Sequence, residues 1–132
     1  MKIVIAGAGE VGSHLAKLLS REEQDIIVLD RDKEKLNRLD SNYNLMTVSG
    51  SPTSFNDQKR AGVGDDCDLF IAVTPYENTN LIACGIAKHL GARKTVGRID
   101  NYEYLDSQNR GFFSSVGVDH LIYPCLLYTS DA

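Results

Sequence analysis

Three glycines, Gly7, Gly9 and Gly12, stand in the order G-x-G-x-x-G directly after the apolar run of residues 3–6. Apolar side chains then recur at helical spacing, so the glycines lie in a turn from a strand into a helix. In that setting they allow, in order, a tight turn, the approach of a pyrophosphate to the backbone, and close packing of the helix on the sheet. The free N–H groups and the positive dipole end of the helix also favour phosphate. The spacing therefore predicts a phosphate-binding turn made by Gly7, Ala8, Gly9, Glu10, Val11 and Gly12.

Asp30 ends a second apolar run, residues 26–29, and lies eighteen residues after Gly12. A carboxylate at this place accepts hydrogen bonds from the hydroxyls of an adenine ribose. The alternative is an ordinary polar residue at a strand end or in a helix cap. A carboxylate also repels a 2′-phosphate, which favours NAD(H) over NADP(H). The neighbouring Arg31 weakens this preference, because arginines accommodate that phosphate.

Polar residues at the ends of two further strands are candidates for the same site. Ser49 and Gly50 follow the third strand, where they line the adenine end of a ligand or form a plain turn. Thr74, followed by Pro75, ends the fourth strand. That position lies across the point where the strand order reverses, and ligands of open α/β sheets bind in this crevice. Thr74 is therefore expected to face the nicotinamide half of a dinucleotide.

The next helix and strand supply Asn78 and Arg98. Asn78, with Glu77, either faces the nicotinamide half or caps the helix. Arg98 ends the fifth strand at the same edge of the sheet, where an arginine reaches a phosphate or pairs across an interface. A solvated surface charge is the alternative for Arg98.

The chain carries no recognisable catalytic or metal-binding pattern. None of the three histidines has a partnering Ser, Cys or paired carboxylate at suggestive spacing, so we expect no enzyme activity. A dehydrogenase also needs a second domain over the nicotinamide, for which this length leaves no room. Cys67, Cys84 and Cys125 lack the spacing of metal ligands and predict neither a metal site nor a disulfide framework.

Strand and helix patterns alternate along the whole chain, which is typical of a parallel sheet with helices on both faces. The glycine turn on the first strand favours a Rossmann-type doubly wound sheet of about six strands in the order 3-2-1-4-5-6. Asp32 and Ser54 are expected to cap helices, and Gly91 to end one. Residues 101–108 predict a poor helix and residues 111–117 a mobile loop. The strands are expected at residues 3–6, 26–29, 45–48, 69–73, 95–99 and 119–123.

Composition is that of one globular domain: 132 residues, 42% hydrophobic and 24% charged, with a net charge of −4. A basic surface for nucleic acid or anionic membranes is absent. No apolar run reaches the length of a membrane span and no signal peptide is recognisable, so a cytoplasmic location is expected. Residues 1–124 are expected to form the NAD(H)-binding domain. Residues 125–132 fit no element of it and suggest a truncation or cloning remnant.

The glycine turn resembles that of a known family when it is combined with Asp30-Arg31-Asp32, with Thr74 and Asn80, and with Gly97-Arg98-Ile99. From Met1 to about Pro124 the chain is similar to the N-terminal nucleotide-binding domain of TrkA, also called the RCK or KTN domain. TrkA proteins are regulatory subunits of bacterial Trk potassium uptake systems.

The resemblance implies a nucleotide sensor that controls potassium uptake. It implies binding of NAD(H), or of ATP/ADP as in relatives, with Gly7, Gly9 and Gly12 on the phosphates and Asp30 on the ribose. It also implies a dimer or tetrameric ring, peripheral to the inner face of the cell membrane and docked on a TrkH-like potassium transporter subunit. Glu10 stands where ATP-preferring relatives tend to carry arginine, which favours NAD(H). The competing hypothesis is a cofactor-binding fragment of an NAD-dependent oxidoreductase.

Overall fold

The chain folds as a parallel sheet with helices packed on both faces. The computed structural model describes residues 1–22, 24–40 and 45–124. Within them every neighbouring pair of strands is parallel, and the order is β3-β2-β1-β4-β5-β6. This confirms the predicted α/β fold and its strand order. The strands are β1 (Lys2–Ala6), β2 (Asp25–Asp30), β3 (Met46–Ser49), β4 (Leu69–Ala72), β5 (Lys94–Arg98) and β6 (His120–Ile122).

Helices connect these strands, and the predicted capping residues are in place. The Asp32 carboxylate accepts hydrogen bonds from the N–H groups of Glu34 and Lys35 at 3.0 and 3.4 Å. The Ser54 hydroxyl caps the third helix, and Gly91 ends the fourth in a left-handed conformation with φ +120°. The helices are α1 (Glu10–Ser20), α2 (Lys33–Asp40), α3 (Phe55–Arg60), α4 (Glu77–Leu90) and α5 (Arg110–Ser115).

Two apolar cores lie on the two faces of the sheet. Along β1, Ile3 and Ile5 contribute to one core, and Val4 and Ala6 contribute to the other, because successive side chains of a strand point to opposite faces. All four side chains are fully buried. Helices α1 and α2 cover the first core, and α4 and α5 cover the second. Burial on both faces explains the continuous apolar runs in the sequence.

The strand register brings the predicted site residues to one edge of the sheet. Ala6, the last residue of β1, is aligned with Leu29 of β2 and with Ala72 of β4. The segments that follow these strands therefore meet at the carboxyl edge, where the strand order reverses.

Two sequence predictions near the C-terminus are wrong. Residues 101–108 form only a short 3₁₀ helix, Tyr102–Leu105, and the mobile loop predicted for residues 111–117 is largely replaced by α5. The Asp106 carboxylate accepts a hydrogen bond from the Gln108 N–H at 2.9 Å, and such local bonds compete with helix propagation. Helix α5 forms because it buries Phe113, whose ring lies 4.8 Å from that of Tyr104, measured between centroids.

The buried face of α4 also differs from the prediction. The helical spacing of the sequence predicts that Ile82, Ile86 and Leu90 share one face of α4, but Ile82 is 58% exposed whereas Ile86 is buried. Small side chains, Ala83, Cys84 and Ala87, face the sheet instead. Small residues let the helix lie close to the strands, and this places its first turn at the site.

No helix within the described residues combines the length and the hydropathy needed to cross a membrane. The expected tail, residues 125–132, lies outside the described part of the chain.

Candidate functional site

The turn from β1 into α1 depends on two of its glycines for steric reasons. Gly7 has φ +117°, a conformation that residues with side chains rarely adopt. A Cβ on Gly7 would also lie 3.0 Å from the backbone of Val73 and Thr74, which follow β4. A Cβ on Gly12 would overlap the Gly7 carbonyl group. The fold itself therefore requires Gly7 and Gly12, in the roles that the sequence pattern predicts.

Gly9 differs from both, because nothing in the described part of the chain demands a glycine there. Its backbone is extended, with φ −76° and ψ −161°, which other residues adopt freely. A Cβ on Gly9 would meet no atom within 4 Å. The missing side chain leaves open space directly above the start of α1.

The start of α1 presents N–H groups to that open space. Gly9 is the N-cap and forms no side-chain capping bond. The Ser13 N–H donates to the Gly9 carbonyl at 2.9 Å, so the N–H groups of Glu10, Val11 and Gly12 have no acceptor within the helix. The positive end of the helix dipole adds to the attraction for an anion. The Glu10 side chain is exposed to solvent.

Asp30 ties the end of β2 to the glycine turn. Its Oδ2 accepts a hydrogen bond from the Ala8 N–H at 2.7 Å, and its Oδ1 accepts one from the Asp32 N–H at 2.7 Å. The Gly50 N–H donates to the Asp30 carbonyl oxygen at 3.0 Å, which joins the end of β3 to the same point. Each carboxylate oxygen retains further lone-pair capacity for a ribose hydroxyl. Asp30 therefore positions the turn as well as facing the crevice.

The turn from β4 into α4 is closed by Asn80, whose side chain is 1% exposed. Its Oδ1 accepts hydrogen bonds from the N–H and the hydroxyl of Thr74 at 2.9 and 2.7 Å. Its Nδ2 donates to the carbonyl oxygens of Thr74 and Arg98 at 2.9 and 3.1 Å. All four bonds available to an amide side chain are made. Asn80 thus joins the ends of β4 and β5 to the first turn of α4.

The role of Asn80 was not predicted from its chemistry, although the residue belongs to the pattern that carries the family resemblance. The sequence held one signal for this role. Asn80 precedes Ala83 by three positions, and residues i and i+3 share a helix face, so Asn80 is a polar residue on the inward face of the helix. The Thr74 hydroxyl, expected to face a nicotinamide, donates instead to Asn80 and contacts the Tyr76 carbonyl oxygen at 3.3 Å.

A crevice of about 250 Å³ opens between the ends of β2 and β4. Among the predicted site residues, it brings together Asp30, Arg31, Thr74 and Pro75. Ser49, Gly50, Asn78 and Arg98 do not line it. Five further lining residues among those described were not predicted from the sequence: Lys35, Pro52, Thr53, Tyr76 and Thr79.

Ser49 and Gly50 are held by α3 instead of lining the crevice. Arg60 donates to the Ser49 carbonyl oxygen at 3.0 Å, and a Cβ on Gly50 would lie 2.8 Å from the Asp57 carboxylate. That carboxylate also accepts from the Ser51 N–H at 2.8 Å. The hydrogen bond from Arg60, followed by that from Ser51, lowers the pKa of Asp57. Of the two interpretations of Ser49 and Gly50, this geometry favours the structural turn.

The sequence left alternative roles open for Asn78, Glu77 and Arg98, and the structure shows where each of them lies. Tyr76 is the N-cap of α4, so Asn78 is an exposed residue within the helix and not its cap. The Glu77 carboxylate accepts from the N–H groups of Asp100 and Asn101 at 2.6 and 2.7 Å, beyond β5. Arg98 is mostly buried, and its Nε lies 3.8 Å from the Asp100 carboxylate. Within the described part of the chain this Nε has no hydrogen-bond partner.

A larger cleft of about 550 Å³ lies between α1 and α2, next to Gly9. Among the residues that the structure describes, Lys17, Lys35, Arg38 and Glu10 give this cleft its charged lining. Lys35 lines both this cleft and the crevice beside Asp30. The two spaces therefore adjoin at α2.

The described residues hold no group of three or more His, Cys, Asp or Glu that could bind a metal ion. Cys67 and Cys84 are buried free thiols, and burial raises the pKa of Cys84 to about 12. Such a thiol is not a nucleophile at neutral pH. Cys125 lies outside the described residues.

The sheet order and the glycine turn at its switch point define an α/β domain of the Rossmann type. The chain belongs to the TrkA-N domain family, whose model matches residues 3–124.

Two relatives are proteins named Trk system potassium uptake protein TrkA. The one from Haemophilus influenzae is 38% identical over 133 residues, which cover 99% of this chain and 29% of the relative. The one from Vibrio alginolyticus is 39% identical over 132 residues, which cover 98% and 29%. The chain thus spans about three tenths of the length of these relatives.

Solved structures share the fold at low sequence identity. The NAD(P)-binding domain of an exopolyphosphatase-related protein from Archaeoglobus fulgidus matches with a TM-score of 0.82 at 13% identity, covering 98% of this chain and 92% of that domain. The GsuK channel bound to NAD matches with a TM-score of 0.75 at 15% identity, covering 92% and 21%. GsuK bound to ADP matches with a TM-score of 0.74 at 15% identity, covering 92% and 31%.

Proposed function

We propose that this chain is the nucleotide-sensing unit of a regulatory protein that controls potassium uptake. The observation that carries the proposal is the β1–α1 turn, where three helical N–H groups without intrahelical acceptors face open space over Gly9. Membership of the TrkA-N family and the potassium uptake names of the relatives supply the physiological setting.

The residues around this turn fit an adenine dinucleotide. The pyrophosphate lies over Gly9 and accepts hydrogen bonds from the N–H groups at the start of α1. Asp30 accepts from the ribose hydroxyls, and the nicotinamide half extends along the crevice towards Thr74 and Pro75. Bound NAD(H) would act only as a signal, through its presence and its redox state. The chain's own residues bind and orient it.

NAD(H) is the proposed physiological ligand, and ADP or ATP are competitors for the same turn. Solved GsuK structures carry NAD or ADP, and both ligands contain an adenine ribose and a diphosphate. Glu10 opposes further negative charge near the turn, which disfavours a triphosphate. Arg98 is mostly buried, its Nε has no hydrogen-bond partner among the described residues, and it serves either the nucleotide or a subunit interface.

A sensor explains the site better than an enzyme does. Within the described residues, the two cysteines are buried thiols, and no histidine lines the crevice beside Asp30 and Thr74. Proton or hydride chemistry needs a positioned acid or base, or a substrate held over the nicotinamide. The competing function, the cofactor half of an NAD-dependent oxidoreductase, would need those groups from elsewhere in a longer protein.

The proposal extends to domain limits, assembly and location. The proposed nucleotide-binding domain spans residues 1–124. The whole regulator works at the inner face of the cell membrane, as a dimer or ring on a membrane potassium transporter subunit. Occupancy of the turn changes the relation between its subunits and thereby the transporter.

Calorimetric titration with NADH, NAD, ATP and ADP tests the proposal. We expect micromolar binding of NADH with no oxidation of the cofactor. The Asp30→Ala variant should bind NADH about 10- to 100-fold more weakly, because a charge-assisted hydrogen bond to the ribose is lost. Asp25→Ala, which removes an exposed carboxylate from the opposite end of the same strand, is the matched control and should keep the wild-type affinity.

Failure to bind any of the four nucleotides would remove the proposal. Turnover of NADH with a co-substrate would favour the oxidoreductase instead. An unchanged dissociation constant for Asp30→Ala would leave nucleotide binding in place and remove Asp30 from the site.

A further inference from the structure

Gln58 of α3 is a polar residue inside the protein, and it is 0% exposed. Its Nε2 donates hydrogen bonds to the carbonyl oxygen of Pro52 at 2.7 Å and to that of Ala83 at 3.0 Å. Because both partners are acceptors, only the amide nitrogen can face them, and this fixes the orientation of the side chain. The Oε1 atom on the other side has no hydrogen-bond partner among the described residues.

Stability alone gives little reason for an amide at this position. A buried acceptor without a donor costs free energy, and an apolar side chain of similar length would not have one. Such a side chain would in turn leave the Pro52 carbonyl oxygen without the bond from Nε2. What the amide provides is a link between two segments that are distant in the chain.

The two acceptors of Gln58 belong to opposite walls of the 250 Å³ crevice. Pro52 lines the crevice from the loop between β3 and α3. Ala83 lies in α4, and the N-cap Tyr76 and the first-turn residue Thr79 of this helix line the crevice from the β4 side. Gln58 thus bonds one wall to the helix that carries the other.

Other side-chain hydrogen bonds fasten each wall to its own part of the sheet. On α3, Asp57 and Arg60 bind the loop at Ser51 and Ser49, close to the end of β3. On α4, Asn80 binds the ends of β4 and β5. Within the described residues, the two bonds of the buried amide are those that join the β3–α3 loop to α4.

We propose that Gln58 is a positioning residue for the nucleotide site, which holds the two walls of the crevice at the separation that the bound dinucleotide needs. The proposal rests on the proposed function, since the crevice must take part in nucleotide binding. A loop that is already fixed in its binding position loses less conformational freedom when the ligand binds, and this raises the affinity. Gln58 acts through Pro52 and α4, and it does not itself line the crevice.

The variant Gln58→Met tests this role, because methionine is also unbranched and flexible but has no donor. We expect the affinity for NADH, measured by calorimetry on the 132-residue chain, to fall about three- to tenfold. The melting temperature should change by no more than about 5 °C, because the loss of two bonds is offset by the loss of an unsatisfied acceptor. Asn56→Met, which replaces an exposed amide of the same helix, is the matched control and should alter neither quantity.

A spectroscopic measurement separates positioning from a general effect on the fold. In the wild type, saturation with NADH should shift the amide signals of Gly9 in the β1–α1 turn and of Thr53 in the crevice wall. In Gln58→Met the shift of Gly9 should remain, because the phosphate contacts are unchanged, whereas that of Thr53 should shrink. Gln58→Leu also lacks the donor and takes the place of Gln58→Met if that variant does not fold.

The outcomes distinguish this proposal from the proposed function. A variant that binds NADH as tightly as the wild type would overturn the positioning role and leave the nucleotide site in place. A melting temperature lowered by more than about 5 °C in both variants, or loss of their fold, would overturn it as well, because Gln58 would then serve stability. If the wild type binds no NADH, the proposed function fails and this proposal fails with it.

Discussion

Two turns lie at the same edge of the sheet, one from β1 into α1 and one from β4 into α4. They differ in what fills the space beside their backbone groups. Each connects a buried strand to a helix whose N-cap makes no side-chain capping bond. In the β4–α4 turn, Asn80 fills the space and bonds three backbone groups and the Thr74 hydroxyl. In the β1–α1 turn, glycines keep the space empty, and the first N–H groups of α1 face outward.

We infer from this difference that the two turns have separate roles. In the β4–α4 turn the backbone groups at the strand ends are bonded internally by Asn80, and these bonds hold β4 and β5 in register. A turn with free donors next to open space is stabilised by an anion that supplies the missing acceptors. Substitutions should therefore affect stability at the β4–α4 turn and ligand binding at Gly9.

Replacing Asn80 by leucine should give the largest loss of stability. The leucine leaves the N–H and carbonyl groups of Thr74 and the carbonyl group of Arg98 buried without partners. We expect the free energy of unfolding to fall by about 3–5 kcal/mol. Urea denaturation measures it, with Asn78→Leu at an exposed position of the same helix as the control. A loss below that of the control would show that the β4–α4 turn does not depend on Asn80.

Gly12→Ala should be the next most disruptive change. Its Cβ would overlap the Gly7 carbonyl group, so α1 must move away from the turn. We expect the free energy of unfolding to fall by about 2–3 kcal/mol, in the range of overpacked cores. Thermal unfolding monitored by circular dichroism gives the measurement. An unchanged melting temperature would mean that the close contact of α1 with the turn is not required.

Gly9→Ala should separate binding from stability. Because a Cβ at this position meets no atom within 4 Å, we expect the free energy of unfolding to change by less than about 1 kcal/mol. The same methyl group occupies the space proposed for the pyrophosphate, so NADH affinity should fall at least about tenfold. A variant that is equally stable and binds NADH normally would contradict the proposed position of the phosphates.

A smaller effect on stability is expected from Asp119, which precedes the edge strand β6. Burial would raise the pKa of its carboxyl, but hydrogen bonds from the Lys88 ammonium and the Thr95 N–H outweigh burial and lower it. A carboxyl whose pKa is lowered by folding stabilises the protein at pH values above its ordinary pKa of about 3.9. This contribution is lost as the pH falls through the pKa of the folded state.

The melting temperature of Asp119→Asn should therefore lie below that of the wild type at pH 7, and the gap should narrow as the pH falls from about 4 towards 3. Asp25→Asn, at an exposed position, is the control for loss of one negative charge. A gap that stays constant over this pH range would show that the charge of Asp119 contributes nothing.

The sequence predicts the β1–α1 turn far better than the β4–α4 turn. Glycines at fixed spacing have local steric consequences, so Gly7 and Gly12 could be assigned roles without knowledge of the fold. The role of Asn80 depends on Thr74 and on Arg98, eighteen residues away in the chain. No local pattern reports such a contact, and the sequence prediction for Thr74 considered only a ligand and not Asn80.

The strand order could be predicted from the alternation of strands and helices and from the handedness of the crossovers. The secondary structure around residue 110 could not. Whether residues 111–117 form a loop or a helix depends on Phe113 finding a buried position against Tyr104. Likewise, Gly50 is constrained by the Asp57 carboxylate of α3, which a sequence pattern cannot place against it. In both cases tertiary packing decides a local choice that propensity leaves open.

The most direct test of the account is an amide-resolved NMR titration of the chain with NADH. The largest chemical-shift changes should fall on the amides of Gly9, Glu10, Val11 and Gly12, while the Asn80 side-chain amide keeps its hydrogen-bonded signal. Saturable binding that leaves those four amides unchanged, or no binding at all, would contradict it.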